Sequence, residues 1–348
     1  MNTTRKLRFS LDPATGRLSE EDTRRYLSRI GFAVFGLTVV HELARDILTI
    51  LAVMLLPDSI LSSPITSNVL VSIALYGLAF PVFFYLLKPL PEVDPLEGSF
   101  GAKDLFGGLC VAFTLMIAGN YVSQFLTSWL SVFMGNALEN PVEVGVTSTP
   151  WYISVIFVGI LAPIMEELVF RKLLCRRLLP LGEGYAIVLS AAAFGLCHGN
   201  LFQFFYAFAL GLLFALIYVK TGKLRYSIFY HMVINLLSGV FSSWILEQLR
   251  LEELIVILEE LMLSGSTDMS TLAPFATPLI LLAVYDILMY VGAFIGIVLI
   301  FRHRRRIVLS EGLLPPPKEG RVANVFMNTG TAAALGAFAV VFLLSLLP

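Results

Sequence analysis

The chain has 348 residues, of which 57% are hydrophobic and 14% charged, and its mean hydropathy is +0.83. Soluble domains are nearer half apolar and a quarter charged, so this composition excludes an ordinary cytosolic domain and a disordered chain. The net charge of −1 gives no basic field, which excludes a nucleic-acid-binding protein. The three cysteines are irregularly spaced and form neither a CxxC site nor a disulfide framework. The remaining class is an all-α polytopic integral membrane protein.

Apolar runs define the predicted membrane spans. A spanning helix needs about 20 apolar residues, and the chain contains about nine such runs. They are 30–56, 67–87, 105–134, 151–175, 184–199, 201–219, 226–246, 275–301 and 325–347. The junction between the fifth and sixth runs, near His198, stays open. In 247–264 leucine and isoleucine alternate with glutamate, which predicts an amphipathic acidic helix that either lies on an interface or extends the seventh span.

These runs divide the chain into consecutive parts. We expect a cytoplasmic N-terminal segment over 1–29, three transmembrane helices over 30–134, a core over 150–246 and two C-terminal transmembrane helices over 275–348. The first segment is polar and has no apolar stretch with a cleavage site, so we expect no cleavable signal peptide.

Basic residues predict the orientation. With these spans, every Lys and Arg other than Arg45 and Arg250 falls on one side of the membrane. Because positively charged loops remain cytoplasmic, the N-terminus is predicted to be cytoplasmic and the C-terminus external, in the inner cell membrane.

Ionisable residues inside a span are costly unless they are paired or face a cavity, so each is a functional candidate. In the first span, Arg45 can pair with Glu42 or Asp46 across one helical turn. We interpret these residues and His41 as structural or substrate-gating rather than catalytic. Asp286 in the eighth span is expected to be a hydrogen-bonded packing residue.

The fourth span contains two adjacent glutamates. Glu167 and Arg171 are four residues apart in the order that favours an ion pair. Adjacent helical residues point about 100° apart, so Glu166 and Glu167 cannot share one environment. The pairing of Glu167 with Arg171 then leaves Glu166 without a partner on its own helix. Pro163 can kink the helix and free a nearby backbone carbonyl. Glu166 is therefore a candidate general base, the alternative being a second buried ion pair, to Arg171 or to another helix.

Two histidines on other spans complete a hydrolytic set. His198 follows Phe194 by four residues, and His231 precedes Asn235 by four. Glutamate with histidine can activate water, and histidine with asparagine can donate hydrogen bonds to an oxyanion. A single membrane histidine is more often a packing residue. The combination with Glu166 favours a catalytic cavity within the membrane.

The three patterns Glu166-Glu167-x-x-x-Arg171, Phe194-x-x-x-His198 and His231-x-x-x-Asn235 occur in this order. Together they resemble the motifs of the CPBP family of intramembrane proteases, which comprises type II CAAX prenyl endopeptidases and bacteriocin-processing (Abi) proteins. The resemblance covers about 150–240. Many members have glycine after the motif arginine, where this chain has Lys172, and we expect this difference to affect the mouth of the site rather than its chemistry.

The resemblance implies roles for the motif residues. Glu166 is expected to be the catalytic glutamate, His198 to act with it on the water, and His231 and Asn235 to stabilise the oxyanion. The charged pair of the first motif is expected to hold that motif in shape. The family has been described both as metalloproteases and as glutamate-dependent proteases. We favour a mechanism without metal or cofactor, because zinc ligands are commonly close together on one helix; the alternative is zinc held by Glu166, His198 and His231.

The predicted function is an intramembrane endopeptidase that acts on a peptide or membrane-protein substrate in contact with membrane lipid. No nucleic-acid partner is expected. An ion-coupled transporter is an alternative, because buried Glu, His and Asn also build proton relays. It would predict inverted repeats, which the sequence does not convincingly contain. A catalytically unused membrane scaffold or immunity protein that kept the motifs is a further alternative.

Overall fold

The computed structural model describes residues 9–135, 138, 140, 149–265 and 269–346. In these ranges the chain is helical, and its β-type pairings are isolated bridges. The all-α class is therefore confirmed. The main helices are α1 (Glu20–Leu55), α2 (Pro64–Leu87), α3 (Ala102–Met134), α4 (Trp151–Leu181), α5 (Glu183–Leu196), α6 (Leu201–Thr221), α7 (Leu224–Ser264), α8 (Ala273–His303), α9 (Arg321–Phe326) and α10 (Thr329–Leu344).

Six helices in the described ranges are long and apolar enough to cross a membrane: α2, α3, α4, α6, α7, and α8 together with the turn before it. Helices α5 and α10 are apolar but shorter, and α1 carries the polar cluster of the first predicted span. A multi-pass membrane protein is thus confirmed, whereas the count of about nine spans stays a prediction. Residues 1–8 of the predicted N-terminal segment and 347–348 at the end of the last predicted part lie outside the described residues.

Polar capping residues determine several helix boundaries. Helix α1 begins after Ser19, whose side chain accepts the Asp22 N–H, so it starts well before the apolar run at 30. Helices α5 and α6 are separate, because Gly199 has a φ of +68° and Asn200 caps α6. Asn328 caps α10 in the same way, which places the last apolar helix after 325.

The acidic helix is shorter than the sequence predicts. Arg250 adopts a left-handed φ of 44°, which breaks α7 and makes the acidic part begin at Leu251. Leu254 is buried in a small cluster with Phe275 of α8. The outer face of this part is mostly exposed, as an amphipathic helix requires.

The central helices position the polar patterns of the sequence on facing surfaces. Helix α6 packs between α5 and α3, α1 packs against α2 and α10, and α8 packs against α3. The middle of α4 contacts α5 and the first part of α7. The residues predicted to form the site therefore lie on three helices that meet in the bundle.

The basic loops predicted to share one side of the membrane contact each other at one end of the bundle. Lys220 Nζ lies 2.5 Å from Glu183 Oε2, and the same oxygen accepts the Ser310 N–H at 2.8 Å. Arg17 forms an ion pair of 2.5 Å with Glu311 and thereby holds the pKa of that carboxyl below its ordinary value. Which side of the membrane this end faces stays a prediction.

Helices α1 and α10 approach each other through glycines. A Cβ atom at Gly330 would overlap the Ser28 carbonyl oxygen, whereas a Cβ at Gly336 of the same helix would meet nothing within 4 Å. We predict that Gly330→Ala forces the helices apart and costs about 1–3 kcal/mol of unfolding free energy. The matched variant Gly336→Ala should be neutral or slightly stabilising, because alanine favours a helix over glycine. Thermal unfolding in detergent measures both, and equal midpoints for the two variants would contradict the close approach.

Candidate active site

Helix α4 is irregular on both sides of the first motif. Two π-helical turns flank its α-helical segment Ala162–Glu167. In the first of them the Ala162 N–H donates to Phe157 O, five residues back. The next donor in this register would be Pro163, which has no N–H, so Val158 O lacks its helical partner. Pro163 therefore frees a backbone carbonyl, as the sequence predicts.

Asn235 of α7 supplies the missing donor. Its Nδ2 atom donates to Val158 O at 2.9 Å, which connects the irregular turn of α4 to a π-helical turn of α7 that begins at Asn235. The sequence predicts that Asn235 acts together with His231. Both residues lie on α7, but the described hydrogen bond of the Asn235 amide is to Val158 O of α4. One of the two N–H groups of that amide is thus used structurally.

Glu167 and Arg171 form the ion pair predicted from their spacing. Arg171 Nε lies 3.1 Å from Glu167 Oε2, an ion pair that lacks hydrogen-bond geometry, and both side chains are 0% exposed. Arg171 also donates to Ser190 Oγ at 3.2 Å, and its guanidinium lies 4.9 Å from the Phe194 ring centre. A charge buried so deeply needs its counter-charge, so removing either partner alone would destabilise the fold around the first motif.

His231 lies between the two glutamates. Its Nδ1 atom is 3.2 Å from Glu167 Oε1, and its Nε2 atom is 3.7 Å from Glu166 Oε2. Since a carboxylate accepts, we assign the Nδ1 proton to the hydrogen bond with Glu167. The ring stacks on Phe214 at 5.3 Å and meets the edge of Phe194 at 5.5 Å between centroids. These contacts fix the ring with Nε2 directed towards Glu166.

The adjacent glutamates have different surroundings, as their positions on a helix predict. The Glu166 side chain is 18% exposed and Glu167 is fully buried. Glu166 is not paired with Arg171; the ionisable group nearest to it in the described contacts is His231. The first form of the alternative ion pair is therefore wrong, and the basic side chains that interact with Glu166 in the described ranges are His231 and His198.

His198 lies just after the last turn of α5, next to the same residues. Its Nδ1 atom lies 2.9 Å from Phe194 O, and since a carbonyl only accepts, Nδ1 carries a proton and Nε2 remains for other contacts. The His198 ring meets the edge of Phe194 at 5.0 Å between centroids. It is close enough to Glu166 and His231 to interact with both electrostatically. Glu166, His198 and His231 thus face a common region.

Phe194 and Ser190 are parts of the site that sequence reasoning did not assign. The Phe194 ring contacts both histidine rings and the Arg171 guanidinium. Ser190 accepts from Arg171 and donates to Phe170 O at 2.8 Å. Positions 190, 194 and 198 are successive members of an i, i+4 series, so the helical spacing contains a signal that could have identified Ser190 and a role for Phe194, which the second motif already contains.

The polar cluster of α1 is ion-paired. Arg45 lies 2.7 Å from Glu42 Oε2 and 3.0 Å from Asp46 Oδ1, and His41 lies 3.5 Å from Glu42. His41 and Glu42 line a small cavity together with Cys197, which precedes His198. His41 and Glu42 therefore lie next to the site, and the role of the cluster stays a prediction.

Asp286 on α8 does not behave as expected. It is exposed and forms no hydrogen bond or ion pair with another residue in the described ranges. The interpretation as a hydrogen-bonded packing residue is wrong, because the side chain is exposed and has no such partner among the described residues.

The suitability of the site for zinc depends on its donor atoms. Each histidine uses Nδ1 in a hydrogen bond within the protein and leaves Nε2 for other contacts. Histidines that bind a metal through one nitrogen are commonly held by a second group at the other nitrogen in the same way. In the part of the chain that the structure describes, however, no three His, Cys, Asp or Glu side chains are grouped closely enough to hold a metal ion. As arranged here, Glu166, His198 and His231 do not fit the ion, and no chemistry is assigned to one.

Comparisons with known proteins find similarity over the region that carries the site. The sequence model for "Type II CAAX prenyl endopeptidase Rce1-like" matches residues 148–237, which contain all three motifs. A Bacillus subtilis (strain 168) protein named "Putative membrane peptidase YdiL" is 31% identical over 161 residues, 44% of this chain and 64% of that protein. The chain thus spans less than two thirds of this relative's length. No solved structure matches significantly.

The two glutamates should differ in their effect on stability. Glu167→Gln leaves Arg171 buried without a counter-charge, so we expect a loss of about 3–5 kcal/mol of unfolding free energy. Glu166→Gln removes a partly exposed carboxylate whose described ion-pair contact, with His231 Nε2, is long at 3.7 Å, and it should stay within about 1 kcal/mol of the wild type. Unfolding in detergent by heat or denaturant measures both, and equal losses would contradict the structural role of Glu167.

Proposed function

We propose that the chain is an intramembrane endopeptidase of the CPBP family with Glu166 as its general base, supported by the family-model match over residues 148–237 and by the similar membrane peptidase. The observation that carries this proposal is the difference between the two adjacent glutamates. Glu167 is enclosed and paired with Arg171, whereas Glu166 is 18% exposed and lies near two histidines. A carboxylate with a fixed position and access to water is suited to accept a proton from it.

In the proposed reaction, Glu166 takes a proton from a water molecule while the water oxygen attacks the scissile carbonyl carbon. His198 orients the water, because its Nδ1–H is bound to Phe194 O and its Nε2 can accept a hydrogen bond. When the tetrahedral intermediate collapses, the C–N bond breaks and Glu166 returns the proton to the leaving amine. Water is consumed, and Glu166 ends the cycle as a carboxylate.

His231 and Asn235 are the proposed donors to the oxyanion. Asn235 uses one amide N–H on Val158 O and has a second for the substrate. His231 is held by Glu167 with its Nε2 on the side of Glu166, and it donates from that atom when the ring is doubly protonated. Removal of one oxyanion donor typically lowers the rate constant by about 10²–10³-fold.

The proposed substrate is a peptide or a membrane-protein segment that reaches the site from the membrane. The family description names CAAX prenyl endopeptidases, and the name of the Bacillus subtilis relative specifies a membrane peptidase without a substrate. We propose the broader class, since no side chain of the described site is assigned to a prenyl group. The proposed setting is the inner cell membrane with a cytoplasmic N-terminus.

Peptide cleavage by the purified chain in detergent tests the proposal. We predict that Glu166→Gln lowers the turnover by at least about 10²-fold while the protein unfolds at the wild-type temperature, because glutamine keeps the shape and removes the base. A chelator should leave the wild-type activity unchanged. Activity that is lost on chelation and restored by zinc would favour the zinc alternative.

Asp286→Asn is the matched control for the glutamate variant. It removes another carboxylate from an apolar helix, but its side chain is exposed and makes no contact with the site. This variant should cleave at the wild-type rate. Full activity of Glu166→Gln would refute the general-base role, and a wild type that cleaves no peptide in a broad library would count against the endopeptidase itself.

A further inference from the structure

An open pocket of about 510 Å³ lies at the beginning of α1, away from the glutamates and histidines described above. Three arginines of α1 line it within two turns, namely Arg24, Arg25 and Arg29. Ser28 lies between them, and Thr329 at the start of α10 forms the opposite wall. The pocket thus combines three guanidinium groups with two hydroxyl groups.

The pocket has an excess of positive charge. Of the three arginines, Arg24 forms an ion pair in the described ranges, with Glu20 at 3.3 Å. It also donates a hydrogen bond to the Asn324 side chain at 2.8 Å. Arg29 donates from Nε to Leu86 O at 2.8 Å and has no carboxylate partner in the described ranges. Arg25 is exposed and makes no hydrogen bond or ion pair within those ranges. Two of the three positive charges therefore have no carboxylate partner in the part of the chain that the structure describes.

The start of α10 adds to this positive region. Asn328 caps the helix by accepting the Thr331 N–H at 2.9 Å, and the Gly330 N–H donates to Ser28 Oγ at 3.0 Å. The first turn of a helix carries a partial positive charge. In this pocket it points to the same region as the arginines, so the two features favour the same kind of ligand, an anion with several oxygen acceptors.

The surroundings of the pocket indicate a lipid rather than a dissolved anion. Arg29 is bonded to Leu86, at the end of α2, one of the helices long enough to cross a membrane. Phe32, one turn further along α1, lines the pocket and is 41% exposed. From this residue onwards the exposed surface of α1 is largely apolar up to its polar cluster. The arginines therefore lie where headgroups meet hydrocarbon, and the phenylalanine lies beside the chains.

We propose that this pocket binds the phosphate headgroup of an anionic phospholipid, with Arg25 and Arg29 on the phosphate oxygens and Phe32 against the acyl chains. The inference does not depend on the proposed proteolytic activity. Lipid bound at this point contacts both α1 and α10, the two helices that pack through Gly31 and Gly330. It therefore stabilises the folded bundle in proportion to its occupancy.

Lipid-dependent stabilisation of the full chain in detergent tests the proposal. We expect phosphatidylglycerol added in mixed micelles to raise the unfolding temperature of the wild type, and phosphatidylcholine or inorganic phosphate at the same concentration to raise it much less. Arg25→Gln should weaken the apparent affinity for phosphatidylglycerol about fivefold, and Arg25→Lys should recover part of it. Because Arg25 has no partner in the described structure, these variants should fold normally without lipid.

Arg305→Gln is the matched control, since it removes an exposed arginine from the same end of the bundle outside the pocket. It should respond to phosphatidylglycerol as the wild type does. An equal loss of apparent affinity for phosphatidylglycerol in Arg305→Gln and Arg25→Gln would show a general surface-charge effect and would overturn the proposed binding site. Equal stabilisation by inorganic phosphate would overturn the lipid assignment, and equal stabilisation by phosphatidylcholine would overturn the requirement for an anionic headgroup.

Discussion

The buried contact of Glu167 with Arg171 and His231 is the interaction on which the rest of the site depends. Ionisable groups with almost no exposure are costly in an apolar bundle unless each has a partner. Helix α4 provides the carboxylate and the guanidinium, and α7 provides the imidazole. The rings of Phe194 and Phe214, from α5 and α6, close around these groups. Four helices are thereby held in one arrangement around a single carboxylate.

The π-helical turns of α4 and α7 explain how this arrangement and the candidate base occur together. Each such turn contains one residue more than an α-turn, so the side chains after it are rotated relative to a regular helix. In α4 the register also brings Pro163 to the position that should donate to Val158 O. The unpaired carbonyl then binds Asn235 of α7. One irregularity thus creates a second connection between the helices that carry the first and third motifs.

Contacts that depend on the spacing of residues within one helix can be predicted from the sequence. Contacts that depend on how different helices are placed relative to each other cannot. The ion pair of Glu167 with Arg171 and the different surroundings of Glu166 follow from helical geometry. The contact of Glu167 with His231 joins residues far apart in the chain, and the bond from Asn235 to α4 requires a π-helical register that hydrophobic periodicity does not reveal. The membrane class follows from composition, whereas the number of spans depends on short helices such as α5 and on the charged α1.

The His231 ring connects the two adjacent glutamates, because each of its nitrogens faces one of the carboxylates. A helix directs neighbouring side chains about 100° apart, so one glutamate can be buried in an ion pair while the next stays partly exposed. The ring touches both, with Nδ1 at Glu167 and Nε2 towards Glu166. A carboxylate that holds one nitrogen of a histidine fixes both the tautomer and the direction of the other nitrogen, as in carboxylate–histidine pairs that orient metal ligands. Glu167 therefore contributes to the chemistry proposed for Glu166 without meeting the substrate, because it determines which atom of His231 the substrate meets.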